Sequence, residues 1–222
     1  VWEEVIIHLP AHVAIIALSA TVSNAEEFGA WIREVRSSCE IIVSEKRPVP
    51  LYQHMIVGED IFDLYAPTGK GKLNPELVAA TRDSGMRGGR GSRSWNREVR
   101  VRRESRPSTL ISLDRARLLP AITFIFSRAG CEDAVRQILS TRITLTTRSE
   151  AAEIESYVDE VIALLPPEDA IVLGADAWKR GLMRGIAAHH AGMLPLMKES
   201  VEHLFSRGLV KMVYATETLA LG

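Results

Sequence analysis

Four short stretches hold the side chains with the most chemistry to offer: Ser19-Ala20-Thr21, Ser127-Arg128, His189-His190-Ala191-Gly192 and Thr216-Glu217-Thr218. Each follows an apolar run of strand length. Hydroxyls, imidazoles and a guanidinium are hydrogen-bond donors, the equipment for holding an anionic ligand. Singly, each stretch has an ordinary explanation. Ser-Ala-Thr after a strand is commonly a helix entry, and Ser-Arg is commonly an exposed polar pair. The two histidines are adjacent, so on a strand they face opposite ways. They cannot chelate one metal as an i, i+4 pair on a helix can. With no Cys or acidic residue beside them in sequence, no metal site is expected. The reading is one buried, hydrogen-bonded histidine, with His190 turned towards the ligand side.

The elements that carry these stretches give them meaning. Residues 12–21 (HVAIIALSAT) read as a buried parallel strand. Ser23 and Asn24 then cap a helix that sets Phe28, Trp31, Ile32 and Val35 on one face. Residues 40–44 (EIIVS) read as another strand, and 52–57 (YQHMIV) alternate like a third. Between them, RPVPL is extended, since two prolines exclude a helix. Residues 121–126 are a strand, Ser127 a cap, and 129–139 an amphipathic helix. A second helix runs from about 150 to 165 and stops at Pro166-Pro167. GIAAHHAG reads as a short buried strand and turn. The helix after it has Pro195 in its first turn and Gly208 past its end. LVKMVYAT is the last strand. Strands alternating with helices predict α/β layers with parallel sheets on both sides of the chain's middle. In such folds ligands sit beyond the carboxyl ends of the strands, where all four stretches are placed.

That middle is different. From about residue 66 to 106 the sequence is rich in Gly, Ser and Arg and poor in aliphatics, so no packed core is expected there. Residues 81–106 hold nine arginines against Asp83, Glu98 and Glu104, a local net of +6 within a chain whose formal net charge is −1. Arg87, Arg90, Arg93 and Arg97 on a tether suit the phosphates of a nucleic acid, and a solvated linker is the other reading. Elsewhere, 46% hydrophobic and 25% charged residues are ordinary for a soluble globular protein. No apolar run approaches the roughly 20 residues of a membrane span. The opening VWEEVIIHLP shows no signal peptide. Cys39 and Cys131 lack metal-site or redox spacing and are read as buried free thiols in a reducing, cytoplasmic setting, with a disulfide as the second reading.

In order and spacing these stretches resemble superfamily 2 helicases, specifically the DExH-box RNA helicases of the superkiller-like group, which includes the exosome-associated helicases. LSATVSNAEEFGAWI is similar to motif III with its following helix. RPVPL resembles the segment joining the first RecA-like domain to the second. FIFSRAGCE resembles motif IV, GIAAHHAGMLP the His-His-Ala-Gly element of the group, and VYATETLALG motif V. The resemblance implies tandem RecA-like domains: 1–58 the end of the first, 59–118 a linker or insertion, 119–222 most of the second. It implies that Ser19, Ala20 and Thr21 couple hydrolysis to domain closure and that Gly222 approaches the nucleotide. Ser127, Arg128, His190, Gly192, Thr216, Glu217 and Thr218 would then lie along the RNA path. ATP and Mg²⁺ are the implied cofactors of the whole protein, single-stranded or partly duplex RNA the implied substrate, and RNA-processing proteins possible partners.

What the sequence lacks matters equally. A Walker A loop needs G-x-x-x-x-G-K-[ST] so that backbone N–H groups cradle phosphate. TGKGKLN fails, with Ala66 at the first glycine position and Leu73 after Gly71-Lys72. DEVI at 159–162 has the letters of an acidic box but sits in a helix whose Ile154, Val158, Val161 and Leu165 share a face. The chain is therefore expected to be a piece running from after motif II to within motif V, with no ATPase activity of its own. Two alternatives stay open: a non-catalytic nucleic-acid-binding module, and a DNA helicase of a related group.

Overall fold

A computed structural model describes residues 2–18, 24–44, 46, 49–67, 71–87, 105–217 and 219. The chain divides into two compact units, Val1–Tyr52 and Gln53–Gly222.

The first unit holds two helices, α1 (Trp2–His8) and α2 (Ala25–Arg36). The Arg36 guanidinium donates to the Leu9, Pro10 and Val13 carbonyls, so the end of α2 clasps the loop that leaves α1. On α2, Phe28 stacks on Trp31 with ring centroids 5.6 Å apart, and Trp31, Ile32 and Val35 are half-buried, the face the sequence indicated. The strands expected over 12–21 and 40–44 do not form among the described residues, where the backbone is irregular. Ile16, Leu18 and Ile42 are 88, 92 and 86% exposed. A strand exists only through its ladder of partners, and no described residue of this unit offers one. Cys39 is free but only half-buried, short of the burial expected.

The second unit opens with an antiparallel hairpin of β1 (His54–Val57), within the strand expected over 52–57, and β2 (Asp60–Asp63), inside the expected linker. Helix α3 (Pro75–Arg87) follows, within the stretch expected to lack packed structure. Its start is well signalled. Pro75 takes the first position, the Asn74 side chain accepts from the Glu76 N–H at 3.0 Å, and Leu77 is buried. Helix α4 (Arg106–Arg115) likewise forms earlier than the sequence suggested. Ser105 caps it by accepting from the Ser108 N–H. The Arg/Gly residues 88–104 lie outside the described residues.

The rest is a three-stranded parallel sheet of order β3-β5-β4, with β3 (Ala121–Phe124), β4 (Ile186–His189) and β5 (Met212–Ala215). Helices α5 (Arg128–Leu139), α6 (Arg148–Ile162), α7 (Pro167–Val172), α8 (Ala175–Met183) and α9 (Pro195–Ser206) complete the α/β unit. Every residue of β4 and β5 is buried, as strands covered on both faces must be. Alternation sorts them. Ile186, Ala188, Met212 and Tyr214 pack with Leu110 of α4 and with Cys131, Ala134, Val135 and Ile138 of α5. Ala187, Val213 and Ala215 pack with Ile154 and Val158 of α6, Leu182 of α8, and Val201 and Leu204 of α9. Asp159 therefore sits on a helix, as expected, and its carboxylate binds Lys179 at 2.7 Å. Gly208, at φ +71°, turns the chain from α9 into β5.

Candidate functional site

The carboxyl ends of the three parallel strands meet at one level. The Ile125 N–H donates to the Ala215 carbonyl at 2.8 Å, joining the end of β3 to β5, and the Thr216 N–H donates to the His189 carbonyl at 3.1 Å, joining β5 to β4. Ser127-Arg128, His190 to Gly192 and Thr216-Glu217 leave the sheet there. Six residues singled out from the sequence are thus brought to one edge. Ser19, Ala20, Thr21, Thr218 and Gly222 lie outside the described residues.

Ser127 is extended, and its hydroxyl accepts from the Gly130 N–H at 3.2 Å, capping α5. Arg128 is the first helical residue and is exposed. A cation at a helix N-terminus is opposed by the helix's partial positive charge. That position does nothing for the helix, but it places a guanidinium beside the start of α5, where the Ser127 hydroxyl already takes the Gly130 N–H. Across from it, a Cβ on Gly192 would stand 3.3 Å from the Arg128 Cδ and 3.2 Å from the His190 Nδ1. Thr216 is half-buried and Glu217 exposed. The Glu217 carboxylate is an acceptor only, unsuited to touching phosphate.

Both histidines are buried, His189 at 3% and His190 at 6% exposure, so His190 is not the open, ligand-facing side chain expected. Each Nε2 is held by a carboxylate on a different face of the sheet. His189 meets Glu202 of α9 at 2.7 Å, and His190 meets Glu132 of α5 at 2.9 Å. Glu132 and Glu202 were missed from the sequence. The signal was present, because a buried imidazole needs a partner and the flanking helices each carry an acid. Beneath the edge, burial pushes the Cys131 thiol up, and the Glu132 charge adds to this. The Tyr214 hydroxyl is pushed up to about 12, again chiefly by burial. Both stay protonated near neutrality. Among the described residues, the edge supplies hydrogen-bond donors and the Arg128 guanidinium. Among the described residues no cluster of three metal-ligating side chains occurs, and no helix is long and apolar enough to cross a membrane.

No family model matches the chain. Curated relatives align with all of it. "Probable helicase HelY" of Mycobacterium leprae (strain TN) is 47% identical over 237 residues, which is 26% of that protein. "DExH-box ATP-dependent RNA helicase DExH15 chloroplastic" of Arabidopsis thaliana is 38% identical over 254 residues, 21% of its length. "Superkiller complex protein 2" of Homo sapiens is 37% identical over 241 residues, 19% of its length. The chain spans about a quarter or less of the length of each relative.

Proposed function

We propose that this chain, similar over its whole length to helicases that include a DExH-box RNA helicase and a superkiller complex protein, is a segment of an ATP-dependent RNA helicase of the superkiller-like group of superfamily 2, whose β3-β5-β4 carboxyl edge holds the RNA backbone. The observation that carries this reading is the meeting of Ser127-Arg128, His190 to Gly192 and Thr216-Glu217 at one edge of one parallel sheet. Arg128, the amides at the start of α5 and the Thr216 hydroxyl are donors to phosphate oxygens. Such contacts position a strand without reading its bases, which suits an enzyme that must pass along any sequence. Residues 1–58 are taken as the end of a first RecA-like domain and 119–222 as most of the second. ATP and Mg²⁺ belong to the whole protein, where hydrolysis drives opening and closing of the cleft between the domains and movement along RNA. No step is assigned to nucleotide contacts within this chain. The two free cysteines suit a reducing, cytoplasmic setting.

The test is RNA-stimulated ATPase of the full-length protein carrying Arg128→Ala or Thr216→Ala. Each substitution is expected to raise the RNA concentration needed for half-maximal stimulation. Loss of the Arg128 contact should also lower the slope of log affinity against log salt by about 0.7, one single-strand phosphate's worth. Stimulation unchanged in both variants would remove the reading. Stimulation by DNA equal to that by RNA would move it to a DNA helicase.

A further inference from the structure

Glu132, His190 and Gly192 form a hydrogen-bonded series beside Arg128. The Gly192 N–H donates to the His190 Nδ1 at 3.1 Å, so that nitrogen carries a lone pair. The proton of a neutral ring is then on Nε2, which lies 2.9 Å from the Glu132 Oε1 and donates to it. Glu132 thereby selects the tautomer in which Nδ1 can accept. The ring is buried, which denies it water as a substitute partner, while about half of the Glu132 side chain is open to solvent. The Ala191-Gly192 turn that this bond fixes lies beside the Arg128 stem, where a Cβ on Gly192 would stand 3.3 Å from the Arg128 Cδ, a tighter contact than side chains usually make.

We propose that Glu132 is a positioning residue: through the His190 tautomer it fixes the Ala191-Gly192 turn, which in turn holds the Arg128 stem in place to meet an RNA phosphate. The proposal rests on the assignment of this edge to RNA. Ordinary helix propensity does not require the arrangement. Glu132 lies past the first turn of α5, where the helix dipole no longer favours an acid, and only an acceptor reaching the His190 Nε2 sets the tautomer.

The test uses the full-length protein with Glu132→Ala, Glu132→Gln and Arg128→Ala, and reads two quantities. One is hydrogen exchange at the Gly192 amide. The other is the RNA concentration for half-maximal ATPase, set against kcat. Glu132→Ala is expected to speed Gly192 exchange about tenfold, the loss of one hydrogen bond. It should raise the half-maximal RNA concentration by about the same factor, with kcat at saturating RNA unchanged. Glu132→Gln keeps an acceptor oxygen and should restore both quantities, which a purely electrostatic role would not allow. The proposal is overturned if Gly192 exchange is unchanged in Glu132→Ala, if exchange quickens while the RNA requirement does not move, or if Gln behaves like Ala. An effect of Glu132→Ala without any effect of Arg128→Ala also overturns it, and then the RNA assignment of Arg128 falls as well. An effect of Arg128→Ala alone sinks the relay and leaves that assignment standing.

Discussion

Lys211 and Glu150 show how much one buried-edge pair can set. The Lys211 ammonium donates to both Glu150 oxygens at 2.8 and 3.0 Å and to the Leu145 carbonyl at 2.9 Å. Glu150 also closes a capping box with Thr147 at the start of α6. The Lys211 bond first, and then the Thr147 N–H, hold its carboxyl below the usual range. A lowered folded-state value means that the unfolded chain binds the proton more readily. The stabilisation is therefore full above the ordinary carboxylate range and fades as pH falls through the folded value. Urea unfolding of Glu150→Gln should show a deficit against the native chain at pH 7 that shrinks from about pH 5 downwards. A deficit constant across that range would contradict the pairing. Ser127 makes a second residue-scale prediction. Its cap on α5 is worth about 1 kcal/mol, so Ser127→Ala should lower the unfolding free energy by about that much. An unchanged midpoint would mean that the cap contributes nothing.

Among the elements, legibility followed the number of covered faces. The strands β4 and β5 and the helix α9 were plain in the sequence because continuous apolar runs, Pro195 and Gly208 leave little choice of fold. The helix α5 was plain because its apolar positions recur every three to four residues behind Ser127. Where the reading failed, the signal was tertiary or local. Residues 12–18 and 40–44 have strand composition, but a strand needs neighbours that composition does not supply. In α3, the Asn74 cap, Pro75 in the first position and one buried leucine outweighed a glycine- and arginine-rich background that had argued for a linker. The edge residues could be located from the sequence, but the burial of His190 and its hold on Glu132 could not, since those depend on how α5 crosses the sheet. The packing itself is testable at this scale. Leu204 of α9 is wholly buried among Ile154, Val158 and Val213, so Leu204→Ala should cost about 2–5 kcal/mol. A cost well under 1 kcal/mol in urea unfolding would mean that α9 does not cover this face of the sheet.

At the scale of the whole molecule, a parallel sheet with helices on both faces gathers loops from three separate strands to one edge. That gathering turns weak local motifs into a site. The fold alone assigns no function; the RNA-helicase proposal draws on the donors at the edge and on the similarity to helicases. If the proposed function holds, RNA lies across this edge in the full-length protein. Its most direct test is photo-crosslinking of single-stranded RNA to the full-length protein, with the linked residues identified by mass spectrometry. Crosslinks within residues 126–128, 190–193 and 215–217 are expected. Crosslinks confined to other surfaces of the second unit, with these three loops untouched, would contradict the account.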